Sequence, residues 1–298
     1  MTNIKIKYLN ARLVGILRTK PKTPAKNAIT AIQAAFSAGA EAVEITSNSD
    51  FWQEILTGCV RDKLNIGVGS IKNQKIAEEA VKLGAKFLVS PGFFEDTIEV
   101  ANRHNIPILP GVFTEPNFSQ AIELGIADTK YFPANVKTHE ELYKAISEPF
   151  RDEFEELKNK GWELTAFDPA NPQSVLPNNV IKSPTQFYKL YLDVLNSKFQ
   201  PSDSRKIIIK LPEGKSGFER MKEFSEQSLV HGIRTYAVGG VNDKNMKEVL
   251  NKYGAYGVCP GSGMFNGEAI FNGDYERVKT DVSRHVAVIR ELFTVSGQ

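Results

Sequence analysis

From Leu13 onward, short β-rich runs alternate with helical stretches six times in succession, and that rhythm dictates what the chain can fold into. Residues 14–17, 42–46, 65–69, 86–90, 106–110 and 128–132 read as strands. Helical stretches follow them at 25–38, 51–60, 74–83, 95–104, 117–124 and 140–146. Each unit takes about 20 to 28 residues, the size of a strand plus its crossover helix. Gly39, Gly84 and Gly125 stand where left-handed helix C-caps belong. With no tight hairpin signals between them, the strands must pair in parallel. Right-handed crossovers then lead to an open doubly wound sheet or a closed barrel.

After Phe150 the rhythm breaks. Residues 151–161 read as a helix, 162–167 as a strand and 168–184 as a loop rich in Pro, Asn and Ser. An amphipathic helix at 187–199, a strand at 206–211 and a helix at 218–230 follow. Regular units resume with a strand at 233–238, a helix at 243–253, a strand at 256–259 and a closing helix at 275–293. The regular units supply eight strands, which predicts a (β/α)8 TIM barrel with an insertion between units six and seven. The expectation is one domain over 1–298, with the insertion at 151–231 inside it. The insertion is short of apolar strands for a core of its own, so it is expected to cap the active-site face.

Composition narrows the function classes. In a chain of 298 residues, 41% hydrophobic and 24% charged residues belong to a soluble globular protein. A net charge of +2, without a concentrated basic run, argues against nucleic acid as the main partner. Residues 1–12 hold no apolar leader core, and no run approaches a membrane span. Cys59 and Cys259 are too few for a disulfide framework, so reduced thiols and a cytoplasmic location are expected. The four histidines are scattered and no HExxH or CxxC spacing occurs, so no metal or other cofactor is expected.

In such barrels, catalytic groups stand at the C-terminal ends of strands. Charged residues inside apolar runs are therefore the informative ones: Glu44, Lys130 and Lys210. A lysine on a packed strand loses hydration, which lowers its pKa and frees a neutral amine for attack on a carbonyl. Burial drives a carboxyl the other way, toward a pKa useful for proton transfer. The spacing alone leaves an inert Lys130–Glu44 ion pair equally open. Glycines follow the last two strands, in Val238-Gly-Gly-Val241 and Pro260-Gly-Ser-Gly-Met264. Backbone N–H groups there, at Gly239, Gly240, Gly261 and Ser262, suit an anion such as phosphate. Gly214-Lys-Ser216 lacks the upstream glycine of a P-loop and is set aside.

These segments resemble a known family. Gly15-Ile-Leu-Arg18, Ala42-Val-Glu-Ile-Thr46, Gly67-Val-Gly-Ser70, Phe87-Leu-Val-Ser-Pro-Gly92, Ile106-Pro-Ile-Leu-Pro-Gly111 and Lys130-Tyr-Phe-Pro-Ala134 occur in the order found in the 2-keto-3-deoxy-6-phosphogluconate / 4-hydroxy-2-oxoglutarate aldolases. The likeness covers about 13–150 and 233–292 and leaves the insertion unmatched. It implies a metal-independent class I aldolase, typically a homotrimer, that cleaves a keto acid to pyruvate and an aldehyde. It implies a Schiff base on Lys130 and proton transfer by Glu44, leaving Lys210 as the alternative amine. Arg18, Asn48, Ser70, Pro91, Thr114 and Phe132 become candidate substrate contacts, beside the four glycine-loop residues.

The chain also departs from the family. Its Glu44-Ile-Thr-Ser-Asn48-Ser49 carries an amide where the family has an arginine, and an amide cannot grip a carboxylate as a guanidinium does. Ser70 replaces a threonine, Val238 loses a hydroxyl, and the serine of the late Gly-Gly-Ser shifts to Ser262. The enamine groups are thus kept while the substrate-holding groups are edited. Either the substrate differs, or a basic residue of the insertion, among Lys182, Lys189, Lys206 and Lys215, folds over the mouth. Two further readings stand beside the first: an aldolase for another 2-keto acid, and a non-catalytic barrel that binds a small molecule.

Overall fold

A computed structural model describes residues 7–170, 180–196, 198 and 205–293. In chain order its first half runs β1 (Val14–Leu17), α1 (Ala25–Ser37), β2 (Ala42–Thr46), α2 (Trp52–Arg61), β3 (Ile66–Gly69), α3 (Gln74–Lys82), β4 (Leu88–Val89) and α4 (Glu95–Arg103). Next come β5 (Ile108–Leu109), β6 (Gly111–Val112), α5 (Glu115–Glu123), β7 (Asp128–Tyr131), α6 (His139–Ser147) and α7 (Arg151–Asn159). The chain continues through β8 (Glu163–Ala166), β9 (Val180–Ile181), α8 (Pro184–Leu195), β10 (Lys206–Ile209) and α9 (Gly217–Val230). It ends with β11 (Arg234–Val238), α10 (Met246–Asn251), β12 (Gly257–Cys259), α11 (Gly267–Asn272) and α12 (Tyr275–Phe293).

Strands β1-β2-β3-β4-β5 pair in parallel in that order, and β6-β7-β11-β12 do the same. Pro110, which has no N–H to give to a ladder, separates β5 from β6 within one strand position. The ring closes between the first and last strands. Leu13 bridges Val258, the Val258 N–H donates to Arg12 O at 2.8 Å, and the Ile16 N–H donates to Pro260 O at 2.8 Å. The eight strand positions form the expected (β/α)8 barrel.

Period-2 alternation sorts side chains between the barrel interior and the layer under the helices. On β2, Ala42 belongs to the interior cluster with Leu9, Phe87, Leu109 and Tyr236, while Val43 and Ile45 pack in the outer core. Glu44, between those two, shares the parity of Ala42. On β7, Tyr131 faces outward onto Phe113 and Phe224, with ring centroids 5.6 and 4.9 Å away, so Lys130 takes the inward side. The floor is sealed by Asp128, which accepts Arg234 Nε at 2.6 Å and the Leu9 N–H at 2.6 Å. Helix starts follow local chemistry: Thr138 and Glu141 form a reciprocal capping box at α6. Gly39 and Gly84 end α1 and α3 at φ +98° and +96°, a conformation strained for a residue with a Cβ.

The insertion holds more regular structure than its sequence suggests. Its strands form a second parallel sheet in the order β8-β10-β9. Ile207 and Ile209 of β10 are fully buried, and they join one continuous core with Phe150, Phe154 and Phe187. β9 is only two residues long and α11 only six, too brief to leave a periodic signal, and both went unread in the sequence. Part of the expected 168–184 loop and the end of the expected 187–199 helix lie outside the described residues.

The insertion docks on loops at the C-terminal end of the barrel. The Phe93 N–H, after β4, donates to Thr185 Oγ1 at 2.9 Å, and Phe94 packs on Tyr188 at 5.1 Å between ring centroids. Lys72, after β3, meets Glu153 of α7 at 2.5 Å, with side chains only 7% and 10% exposed. Leaving one partner of such a buried pair alone costs about 3–5 kcal/mol, so α7 is firmly tied to the barrel.

Candidate active site

One cavity of about 960 Å³ opens at the C-terminal ends of the strands, and both charged strand residues lie in its wall. Glu44 is 1% exposed and Lys130 is 5% exposed. Burial pushes the Glu44 carboxyl above its usual range, against the pull of the Lys130 and Arg18 charges. Burial likewise pushes the Lys130 amine below its usual value, and Arg18 adds to that, while Glu44 and Cys259 oppose it. No carboxylate lies within 4.0 Å of the Lys130 amine among the described residues, so the pair is not a closed ion pair. Instead Lys130 Nζ stands 4.7 Å from the ring centre of Phe132. Glu44 Oε2 is buried without a hydrogen-bond partner among the described residues.

The space for this carboxyl is made by the neighbouring strand. A Cβ on Gly69 would fall 2.2 Å from Glu44 Oε1, so any larger residue there would displace the carboxyl. Ser70 follows with φ +57°, and its carbonyl accepts the Ser47 hydroxyl at 2.9 Å. Cys259 of β12 also borders the cavity; burial holds its thiol well above the ordinary pKa, in the unreactive protonated form.

Most expected contacts converge here. Arg18, Ser70, Phe132, Gly239, Gly240, Gly261 and Ser262 border the cavity together with Glu44 and Lys130. Gly239 and Gly240 have φ +95° and +73°, and the Gly240 carbonyl accepts Asn245 Nδ2 at 2.8 Å, which fixes the turn. Asn48, Pro91 and Thr114 do not border the cavity. Asn48 donates from Nδ2 to the Glu148 carbonyl at 3.0 Å, Pro91 O backs onto Gly111, and the Thr114 hydroxyl meets Asn117 Oδ1 at 3.1 Å. Lys210 lies outside the cavity too, above the Phe167 ring and 3.7 Å from Glu213.

None of Lys182, Lys189, Lys206 and Lys215 reaches the mouth; Lys206 pairs with Glu163 at 3.3 Å and Lys215 with Glu223 at 2.6 Å. The insertion does add cations, but from its first helix: Arg151 and Lys158 of α7 line the cavity with Phe154 and Glu155. Positions 151, 154, 155 and 158 recur at i, i+3, i+4 and i+7, a single helical face. That spacing was the available signal. With Glu44 and Lys130 set aside, the wall carries Arg18, Lys20, Arg151 and Lys158 against Glu148 and Glu155, an excess of positive charge that suits an anionic ligand. No cluster of metal-ligating side chains occurs among the described residues, and no helix there is long and apolar enough to cross a membrane.

Comparison with known proteins agrees with this layout. A 2-dehydro-3-deoxy-phosphogluconate aldolase of Pseudoalteromonas atlantica is 27% identical over 129 residues, 43% of this chain. The match spans 60% of that relative's length. Among solved structures, one described as native KDPGal matches with a TM-score of 0.60 and 19% identity, covering 96% of this chain and 98% of that one. A KDPG aldolase from Legionella pneumophila, captured with pyruvate as a covalent carbinolamine, matches at a TM-score of 0.55 and 16% identity, over 92% of this chain and 93% of that one. Those likenesses show a shared barrel fold. The family model described as KDPG and KHG aldolase matches residues 4–154, half of the chain, from the first strand through both charged strand residues. On that match the chain belongs to the KDPG and KHG aldolase family.

Proposed function

We propose that the protein is a class I aldolase that cleaves a 2-keto-3-deoxy sugar acid, or 4-hydroxy-2-oxoglutarate, to pyruvate and an aldehyde. One observation carries the reading: a buried amine and a buried carboxyl share one cavity without neutralising each other. The Lys130 amine attacks the C2 carbonyl, and the resulting carbinolamine loses water to give an iminium. Glu44 takes the proton of the C4 hydroxyl. The C3–C4 electron pair then moves into the enamine, with the iminium nitrogen as sink, and the aldehyde departs. The same carboxyl returns the proton to C3, which becomes the pyruvate methyl, and water hydrolyses the iminium to free Lys130. Gly239, Gly240, Gly261 and Ser262, at the end of the cavity bounded by β11 and β12, suit an anionic substituent. The family further supports a homotrimer acting in the cytoplasm.

No step calls on a metal ion. Both substrates should therefore release pyruvate at a rate that a chelator does not change. Loss of activity on chelation, restored by added metal, would contradict the Schiff-base reading.

A further inference from the structure

Among the four basic side chains that line the cavity besides Lys130, Arg151 has the weakest countercharge. Lys158 is paired with Glu155 at 2.8 Å, Arg18 with Glu148 at 3.0 Å, and Lys20 with Glu268. Among the described residues Arg151 has only Asp152 at 3.7 Å and a neutral acceptor, the Asn48 carbonyl, 3.2 Å from its Nη2. Arg18 and Arg151 line the same cavity and are linked through Glu148 and Asn48. Arg18 binds the Glu148 carboxylate, Asn48 Nδ2 binds the Glu148 carbonyl at 3.0 Å, and Arg151 binds Asn48. The Glu148 carboxylate is thus engaged by Arg18 alone, Arg151 meets only a backbone carbonyl at this node, and Arg18 Nε is buried with no hydrogen-bond partner among the described residues. Such an arrangement has donors and charge to spare for an anion.

The helix that carries Arg151 is also held rigidly. Phe154 is 3% exposed and packs against Phe187 in a tilted pair with ring centroids 4.6 Å apart, while Glu153 is anchored by Lys72 on the barrel. A charge presented from a fixed helix loses little freedom when it binds.

We propose that Arg151 is a specificity-determining residue that binds the anionic end group, phosphate or carboxylate, of the aldehyde half of the substrate, with Arg18 on the other side. The proposal rests on the aldolase reading. It gives the insertion a role in substrate choice, and it supplies from α7 the guanidinium that position 48 lacks.

The test compares wild type, Arg151→Met and Arg151→Lys in condensation of pyruvate with glyceraldehyde 3-phosphate, glyoxylate and glyceraldehyde. Arg151→Met should lower the ratio of kcat/KM for an anionic acceptor over the neutral one by about ten- to a hundred-fold, mainly through KM. Arg151→Lys should recover part of it. A fall confined to glyceraldehyde 3-phosphate identifies phosphate as the end group, and one confined to glyoxylate identifies carboxylate. Titration with inorganic phosphate and with acetate gives a measure independent of turnover: wild type should bind the anion whose acceptor shows the fall, and Arg151→Met at least tenfold more weakly. Unchanged ratios for both anionic acceptors, or affinity for that anion equal in the two proteins or undetectable in wild type, would overturn the proposal. Failure of wild type to form a borohydride-trapped adduct with pyruvate would instead overturn the aldolase reading beneath it.

Discussion

Lys130→Met is expected to abolish aldol cleavage, lowering kcat by a factor on the order of 10⁴ or more, without lowering the melting temperature. The first effect follows from losing the only step that forms a covalent intermediate, since removal of a nucleophile leaves only binding and orientation. The second follows from the environment. The amine is buried with no carboxylate within 4.0 Å among the described residues, so methionine of similar length relieves a desolvation cost without opening a cavity. Enzyme assays beside thermal unfolding check both halves. A fall of several degrees in melting temperature would show that Lys130 is a structural cation paired with Glu44, and residual activity within tenfold of wild type would point to another amine.

Glu44→Gln should slow exchange of the pyruvate methyl hydrogens with deuterated water by about 10²- to 10⁴-fold, while imine formation stays measurable. The amide keeps the shape of the side chain and removes its proton transfer. Glu44 also titrates in an informative direction. Its folded pKa lies above 4.5, so it binds its proton more tightly in the native protein than in the unfolded chain. The stability linked to that proton is therefore fully present below pH 4.5 and is lost as pH rises through the folded pKa. Glu44→Gln should flatten that part of the stability–pH curve. Exchange within a few-fold of wild type would remove Glu44 from the mechanism.

Much of this arrangement was legible in the sequence because it rests on strong local physics. Apolar strands and capped helices alternate at a spacing only parallel crossovers accommodate, so the eight barrel positions could be read one after another. Lys130 and Glu44 stand out as charges in apolar runs on barrel strands, and their strand parity turns them to the interior; Lys210 shares the apolar run but follows β10 of the insertion and stays outside the cavity. The α7 wall is harder to read: the spacing of 151, 154, 155 and 158 defines one helical face, but nothing in residues 151–159 says that this face meets the mouth. The tie that decides it, Lys72 to Glu153, joins residues distant in sequence. The insertion's sheet was underestimated for a related reason: short strands such as β9 gain order from their neighbours more than from their own composition. Asn48 stands where the family has an arginine, while Arg151, which donates to the Asn48 carbonyl, lies about a hundred residues away in sequence and meets it only in the folded chain.

Borohydride reduction with pyruvate at pH 7, followed by peptide mapping, tests the central claim most directly. At that pH a solvent-exposed lysine is neutral in roughly one molecule in 2,500, and the lowered pKa of Lys130 makes its amine more available than that. The account predicts a single stable adduct on the peptide containing Lys130, and none in Lys130→Met. An adduct on Lys210, or none at all in wild type, would contradict it.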